Sequence, residues 1–470
     1  MFRLLILTLV WLLFPGALSS VVASQGRPNI IVVLIDDMGW SDLSCYGGKA
    51  PTPAIDRMAK EGIRFTHFYS NAPICSPSRV ALTTGQYPQR WRITSFLENR
   101  EANTRRGMAQ WLDPKAPVLA RELSKSGYAT GHFGKWHMGG QRDVGDAPLI
   151  TEYGFDRSLT NFEGLGPRVL PILDAYDGQP GKRYDLGSAK LGRGEIRWED
   201  RSAVTSSFVK DAVKFIDESQ AAGKPFFINL WPDDVHSPFF PPKALMTKSG
   251  KRALYQAVVR AMDKQLGVLF ERIRGDDKLR GNTLVFITSD NGPEPGAGSA
   301  APLRGTKGSL YEGGIREPLI VWGPGLIAHE KAGSTNGTSA LCSIDLNRSL
   351  HELAGCPIPD DVTPDGEDVS EILLGKSGRG RSAPIFWRRP PDRPGPPEAP
   401  HPDLAVREGR WKCHVSYDGS MVRLFDLTSD ESEARDVSGQ HADVASRLSK
   451  AVLAWNAKLP ADAGDPAFKH

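Results

Sequence analysis

Four stretches of the chain are apolar with little polar alternation: NIIVVLI (Asn29 to Ile35), the weaker YATGHF (Tyr128 to Phe133), PFFINLW (Pro225 to Trp231) and TLVFIT (Thr283 to Thr288). That pattern suits strands buried on both faces, as in a parallel sheet covered by helices. Between them, SSFVKDAVKFIDESQAAG and LYQAVVRAMDKQLGVLFERI place apolar residues three and four apart, the spacing of an amphipathic helix, and the first ends on Gly223. Alternating strands and helices predict a doubly wound α/β domain.

The pattern changes from about Leu374. GKSGRGRSAP reads as a flexible boundary and RRPPDRPGPPEAPHP as a proline-rich loop. Beyond it, LAVREGRWKCHVSYDGSMVRLFDL reads as short strands joined at EGR and DGS, and ADVASRLSKAVLAWNAKL as an amphipathic helix covering them. The expected organisation is a catalytic α/β domain over 27–375 and a C-terminal α+β subdomain over 383–470, with no internal repeats.

At the N-terminus Arg3 precedes LLILTLVWLLF, and Val21 and Ala23 occupy small-residue cleavage positions. The run from Leu4 to Phe14 is about half of the ~20 residues that a membrane span needs. Residues 1–23 therefore read as a cleaved secretory signal, giving an exported protein, periplasmic or secreted, with no membrane span in its mature form. The chain of 470 residues carries a formal charge of +3, so nothing calls for nucleic-acid binding, which needs clustered basic charge. Its five cysteines (Cys45, Cys75, Cys342, Cys356 and Cys413) form no C-x-x-C pair, and their odd number leaves at least one without an intramolecular partner. Cys342 with Cys356 is a candidate bridge.

Each buried run leads into polar chemistry: DDMGWSD after Ile35, GKWHMGG after Phe133, PDDVHSP after Trp231 and SDNGPEP after Thr288. Ligands of open α/β sheets bind outside the carboxyl ends of the strands, so the four clusters are candidates for one site. Asp36, Asp37, Asp290 and Asn291 are hard oxygen donors suited to Ca²⁺ or Mg²⁺. Taken alone, each of these pairs reads more readily as a solvated turn. Lys135 and His137 share a side if their segment is extended. His236 before Ser-Pro is either a strand cap or a site residue, and Lys307 in a glycine-rich loop is either solvated or functional.

CSPSRVALTTGQYP, following LIDDMGWSD and followed in turn by GHFGKWHMGG, a histidine before Ser-Pro, TSDNG and LRGTKGSLYEGGIREPLIV, resembles the formylglycine-dependent sulfatase family. REGRWK and RLFDLTSDESEARDV resemble its C-terminal subdomain, so the likeness covers essentially the whole mature chain. It implies an alkaline phosphatase-like fold: a large doubly wound mixed sheet flanked by helices, plus a small antiparallel sheet with a packed helix. It also implies that a maturation enzyme converts Cys75 to Cα-formylglycine. The hydrated aldehyde carries two hydroxyls, one to attack sulfur and one to expel sulfate as the carbonyl re-forms, and so divides one difficult displacement between two steps. By matching position, Asp36, Asp37, Asp290, Asn291 and residue 75 correspond to the ligands of a divalent cation, commonly Ca²⁺. Arg79 holds the diol, and Lys135 and Lys307 neutralise sulfate oxygens. His137 matches the base, and His236 or a lysine the acid.

The implied substrate is a sulfated carbohydrate, with some likeness to N-acetylgalactosamine-6-sulfatases around CSPSR. Three features bear on it: the polar insertion 139–206, Asp233 and Asp234 as acceptors for sugar hydroxyls, and the arginine- and tryptophan-rich segment 89–111. That segment reads as a sugar-facing wall or as a solvated loop. Two rival functions are a phosphonate monoester hydrolase or phosphodiesterase of the same superfamily, and a non-catalytic protein that binds sulfated glycans.

Overall fold

The computed structural model describes residues 26–378, 380–392 and 401–461. The expected signal segment, 1–23, lies outside them. Among the described residues, sixteen strands form two sheets. The first twelve are β1 (Asn29–Ile35), β2 (Ile63–Tyr69), β3 (Ala129–Gly134), β4 (Arg157–Thr160), β5 (Arg168–Leu173), β6 (Lys182–Arg183), β7 (Ile196–Asp200), β8 (Phe226–Trp231), β9 (Thr283–Ser289), β10 (Arg316–Trp322), β11 (Thr335–Asn336) and β12 (Leu341–Cys342). They build one sheet whose main path runs β11-β2-β10-β9-β1-β8-β3-β4-β5-β6.

The four apolar runs lie side by side as β9, β1, β8 and β3, all parallel. Alternate residues of β1 show why the run is unbroken. Ile30, Val32 and Leu34 enter one core, while Ile31, Val33 and Ile35 enter the other. Helices Val204–Ala221 and Lys251–Arg274 cover the second face through Phe208, Ala212, Phe215, Val259, Met262 and Leu266. The first face is covered in part by Val80 and Leu82 of helix Cys75–Thr84 and by Leu346 and Leu350 of helix Ser343–Leu353.

The sheet is mixed because β10 runs antiparallel to both β9 and β2. β10 is the apolar part of a segment that the sequence marked for its glycines and charges. The polar insertion 139–206 is structured too. It contributes β4 and β5 in parallel succession to β3, with β6 and β7 both pairing with β5. β4, β6 and β7 are short or charged and carry little of the apolar signal that marks the central four, while the apolar run of β5 is interrupted by Pro171.

The second sheet is antiparallel, in the order β13 (Ile385–Arg388), β14 (Leu404–Glu408), β15 (Trp411–Val415) and β16 (Val422–Asp426). Val406, Val415 and Leu424 pack against Ala445, Leu448 and Val452 of helix Ala442–Asn456. The fold class expected from the sequence is therefore the one observed.

All five cysteines are free, and the proposed Cys342–Cys356 bridge is absent. The 11-residue helix Ser343–Leu353 separates the two thiols, which spans about 16 Å, whereas a disulfide brings Cα atoms within about 7 Å. The Cys342 thiol donates to Asp345, and Cys356 Sγ lies 3.1 Å from Ser126 Oγ.

Candidate active site

The carboxyl ends of β1 and β9 deliver Asp36–Asp37 and Asp290–Asn291, all four fully buried. Carboxylate oxygens of Asp36, Asp37 and Asp290 lie within 4.8 Å of one another. Asp37 sits at φ 58°, a left-handed conformation uncommon for a residue with a side chain, and its N–H donates to Asp290 Oδ1 at 3.1 Å. Nδ2 of Asn291 donates to Asp37 Oδ1 at 2.8 Å, leaving Asn291 Oδ1 buried with no partner. A buried acceptor without a donor is costly unless a cation or water completes it. This donor set, all oxygen and mostly anionic, fits a hard divalent ion.

Cys75 opens helix Cys75–Thr84, and Arg79 lies one turn on, on the same helix face. Both are buried. The Arg79 guanidinium reaches Asp290 Oδ2 at 2.7 Å and Asp36 Oδ1 at 3.0 Å, and donates to the Lys135 carbonyl at 2.9 Å. Burial pushes the Cys75 thiol pKa up, while Lys135 and Lys307 pull it down less strongly. Unmodified, residue 75 is thus a protonated thiol and a weak nucleophile.

Burial opposes ionisation of Asp36, but Lys135 and Arg79 hold its carboxyl well below the usual range. Burial and the neighbouring Asp36 push Asp290 well up. One guanidinium and one ammonium do not satisfy both acids, and a bound dication would lower both.

Lys135 Nζ lies 2.8 Å from Asp36 Oδ2, and Lys307 Nζ lies 2.7 Å from Asp37 Oδ2. Asp37 raises the Lys307 pKa despite burial, so both lysines are held charged over the acid cluster. The turn carrying Lys135 depends on Gly134, at φ 126°, where an added Cβ would fall 2.1 Å from the Trp231 carbonyl oxygen. The Lys307 loop is tied to the Cys75 segment by Gly308 N–H donating to Pro73 O at 2.8 Å. The C-terminal subdomain steadies the same loop. Its Lys412 lies 2.9 Å from Glu312 and 3.0 Å from Glu433, all three fully buried.

The segment with Lys135 and His137 is not extended, since His137 sits at φ 53°. Both side chains nonetheless meet one group, Glu163, which sequence reasoning missed. Glu163 Oε2 is 3.1 Å from Lys135 Nζ and 3.2 Å from His137 Nδ1. His137 Nε2 lies 3.0 Å from the Leu97 carbonyl, an acceptor only, so the neutral ring carries its proton on Nε2 and a lone pair on Nδ1. Burial is the main force lowering the His137 pKa to about 3, against the pull of Glu163. His236 keeps about a third of its side chain exposed, with Nε2 3.7 Å from Asp37 Oδ2.

Two substrate-side expectations are corrected. Asp233 and Asp234 are not free for sugar hydroxyls: Asp233 pairs with Arg201 at 2.8 Å, and Asp234 accepts from Thr205 Oγ1. The segment 89–111 is not a solvated loop, because it folds against the body. Arg90 binds Asp365 with two nitrogens, Arg100 pairs with Asp146, and Arg106 lies 3.0 Å from Asp392. Trp91 packs on the main core and Trp111 on Val144, Ala147 and Leu165.

A mixed α/β sheet with acids, lysines and a helix-borne cysteine gathered at its strand ends defines a hydrolase of anionic esters. The sulfatase family's sequence model matches residues 28–356, and the chain belongs to that family. It is a sulfuric ester hydrolase. Human N-acetylgalactosamine-6-sulfatase is 36% identical over 377 residues, covering 77% of this chain and 68% of that one. Bovine (Bos taurus) arylsulfatase A is 32% identical over 446 residues, 88% of this chain and 79% of that one. Among solved structures, Ps i-CgsB in complex with k-i-k-neocarrahexaose superposes with a TM-score of 0.73 at 26% identity, covering 91% of this chain and 92% of that one. Among the described residues, no helix is long and apolar enough to cross a membrane.

Proposed function

We propose that this protein removes sulfate from a sulfated carbohydrate, using Cα-formylglycine at residue 75 and a divalent cation held by Asp36, Asp37, Asp290, Asn291 and residue 75. The observation that carries this reading is the unpartnered, buried Asn291 Oδ1 beside three clustered carboxylates, next to a buried residue 75 flanked by two lysines. Ca²⁺ is the expected ion, with Mg²⁺ the alternative; bound there, it supplies Lewis-acid polarisation of a sulfate oxygen and acidifies the nucleophilic hydroxyl.

The remaining roles belong to the chain's own side chains. Arg79, fixed between Asp36 and Asp290, orients residue 75 from one helical turn away. Lys135 and Lys307 oppose the charge that builds on sulfate oxygens in the transfer, a preorganised electrostatic contribution. His236, or one of the lysines, delivers a proton to the leaving sugar oxygen. His137 Nδ1, whose lone pair is free, takes the proton of the second hydroxyl when sulfate is expelled. The carbohydrate reading is supported by relatives named for N-acetylgalactosamine-6-sulfate and by the neocarrahexaose complex of the structural neighbour.

Export and maturation complete the reading. The apolar N-terminal run fits a protein delivered to the periplasm or outside the cell, with a formylglycine-generating enzyme as its partner before release. The test is sulfate release from defined sulfated mono- and disaccharides, run beside a phosphodiester and a phosphonate monoester. Turnover of one sulfated sugar above the phosphorus esters is expected, and dominant phosphodiester hydrolysis would overturn the assignment.

A further inference from the structure

We propose that Glu163 is a positioning residue for the release of sulfate: it holds the His137 ring in place and supplies the countercharge for the proton that Nδ1 accepts. The inference rests on the reading of residue 75 and His137 given above. Glu163 follows β4, parallel to β3, so its side chain reaches the carboxyl end of β3 from the neighbouring strand. The carboxylate is buried and lies within 3.2 Å of His137 Nδ1 and 3.1 Å of Lys135 Nζ. The backbone is joined as well, with His137 N–H donating to Glu163 O at 2.7 Å and Gln141 bridging to Glu163.

The geometry divides the labour between the two ends of the imidazole. Nε2–H is anchored on the Leu97 carbonyl, so only Nδ1 is open to accept. Nδ1 has no hydrogen bond in this state, and Glu163 Oε2, ion-paired with Lys135 Nζ at 3.1 Å, lies 3.2 Å from it. A proton arriving on Nδ1 turns a buried neutral ring beside a carboxylate into an ion pair with 3.2 Å between nitrogen and oxygen. In that step the free hydroxyl on the sulfated carbon of residue 75 loses its proton to Nδ1. Its oxygen forms the carbonyl, and the C–O bond to sulfate breaks, with its electron pair leaving on sulfate. Burial pushes the Glu163 carboxyl up, but nearby positive charge outweighs it and holds it down, and while the ring is neutral that charge is the Lys135 ammonium 3.1 Å away, so the countercharge is in place before the proton arrives.

Lys135 has a second anchor in Asp36, so the first transfer, which uses Lys135, depends on Glu163 far less than the second, which uses His137. That asymmetry is testable. In Glu163→Gln the release of sulfate slows, the covalently sulfated residue 75 accumulates, and kcat and KM for 4-nitrocatechol sulfate fall together by roughly ten- to a hundredfold, up to the lower end of the ~10²–10⁴-fold effect of a general base, since the base itself stays in place. kcat/KM stays within about threefold of wild type, because it reports only the steps up to the first irreversible one. Peptide mass spectrometry after rapid quenching gives a readout other than turnover: sulfate on residue 75 in most Glu163→Gln molecules and in a minority of wild type. Glu163→Asp, which keeps the charge, recovers part of kcat. A fall in kcat/KM equal to that in kcat, with no sulfated peptide, would reduce Glu163 to a packing residue. An unmodified cysteine at residue 75 in fully active wild-type enzyme, read in the same spectra, would instead sink the parent reading of residue 75.

Discussion

Replacing Arg79 by Met removes the one guanidinium that ties the two acidic pairs together. Arg79 is fully buried, 2.7 Å from Asp290 and 3.0 Å from Asp36, with its head 5.2 Å from the Trp231 ring centroid. Methionine fills much of the volume, so the main loss is charge. Removing one partner of a buried ion pair costs about 3–5 kcal/mol, since the remaining charge is stranded away from water. Two carboxylates are stranded here, but Asp290, already pushed up by burial and by Asp36, is able to take a proton and limit the damage. The upper half of that range is therefore a ceiling. Arg57→Ala is the control: its partner Glu271 lies 3.1 Å away, but the two side chains are 55% and 61% exposed, and such a pair contributes about 0–1 kcal/mol. Thermal and denaturant unfolding of both variants in chelator should show a shift several times larger for Arg79→Met. Added Ca²⁺ should narrow the deficit, because ligand bound only by the folded state adds about 2.7 kcal/mol at a hundredfold excess over Kd, and an acid cluster without Arg79 binds the ion more tightly. Equal shifts for the two variants, with no response to Ca²⁺, would refute the electrostatic account of the site.

Further outcomes follow from the same geometry. Cys75→Ala should lose turnover of every sulfate ester while keeping the wild-type circular dichroism spectrum. Full activity in that variant would remove residue 75 from the mechanism. Chelation should abolish activity, and Ca²⁺ or Mg²⁺ should restore it; restoration by Zn²⁺ alone would contradict an all-oxygen site. Asp263 is buried, with its carboxyl raised by burial from 3.8 to about 6 although it accepts from the Ile55 and Ala54 amides. A carboxyl raised on folding adds stability below its unfolded pKa and loses it as the pH climbs through the folded one. Asp263→Asn should therefore flatten the Tm profile between about pH 4 and 6, and an unchanged profile would show that this carboxyl does not titrate there.

The legible part of the fold was the part that is buried on both faces. β1, β3, β8 and β9 carry unbroken apolar runs because both of their surfaces face a core, and the polar residues just past their ends were legible as a site because parallel strands share one carboxyl edge. β10 was hidden by its direction and by the charged segment that leads into it. β4, β6 and β7 were hidden because they are short or charged runs, and β5 because Pro171 in its apolar run argues against a strand. Glu163 was beyond reach for a related reason: a lone glutamate in TNFEGLG carries no spacing signal, and only the pairing of β4 with β3 brings it to Lys135 and His137. Asp233 and Asp234 misled in the opposite direction. They sit at a strand end like the site acids, yet Arg201 and Thr205 face them from the elements alongside, which no local pattern announces.

The proposed mechanism depends most on what residue 75 is in the mature protein. The direct measurement is the mass of the peptide containing it, taken from fully active enzyme and from enzyme made in a host that lacks a formylglycine-generating system. The aldehyde, or its hydrate, is expected in the active preparation, and unmodified cysteine in the inactive one. An intact cysteine thiol at position 75 in enzyme of full activity would contradict the mechanism.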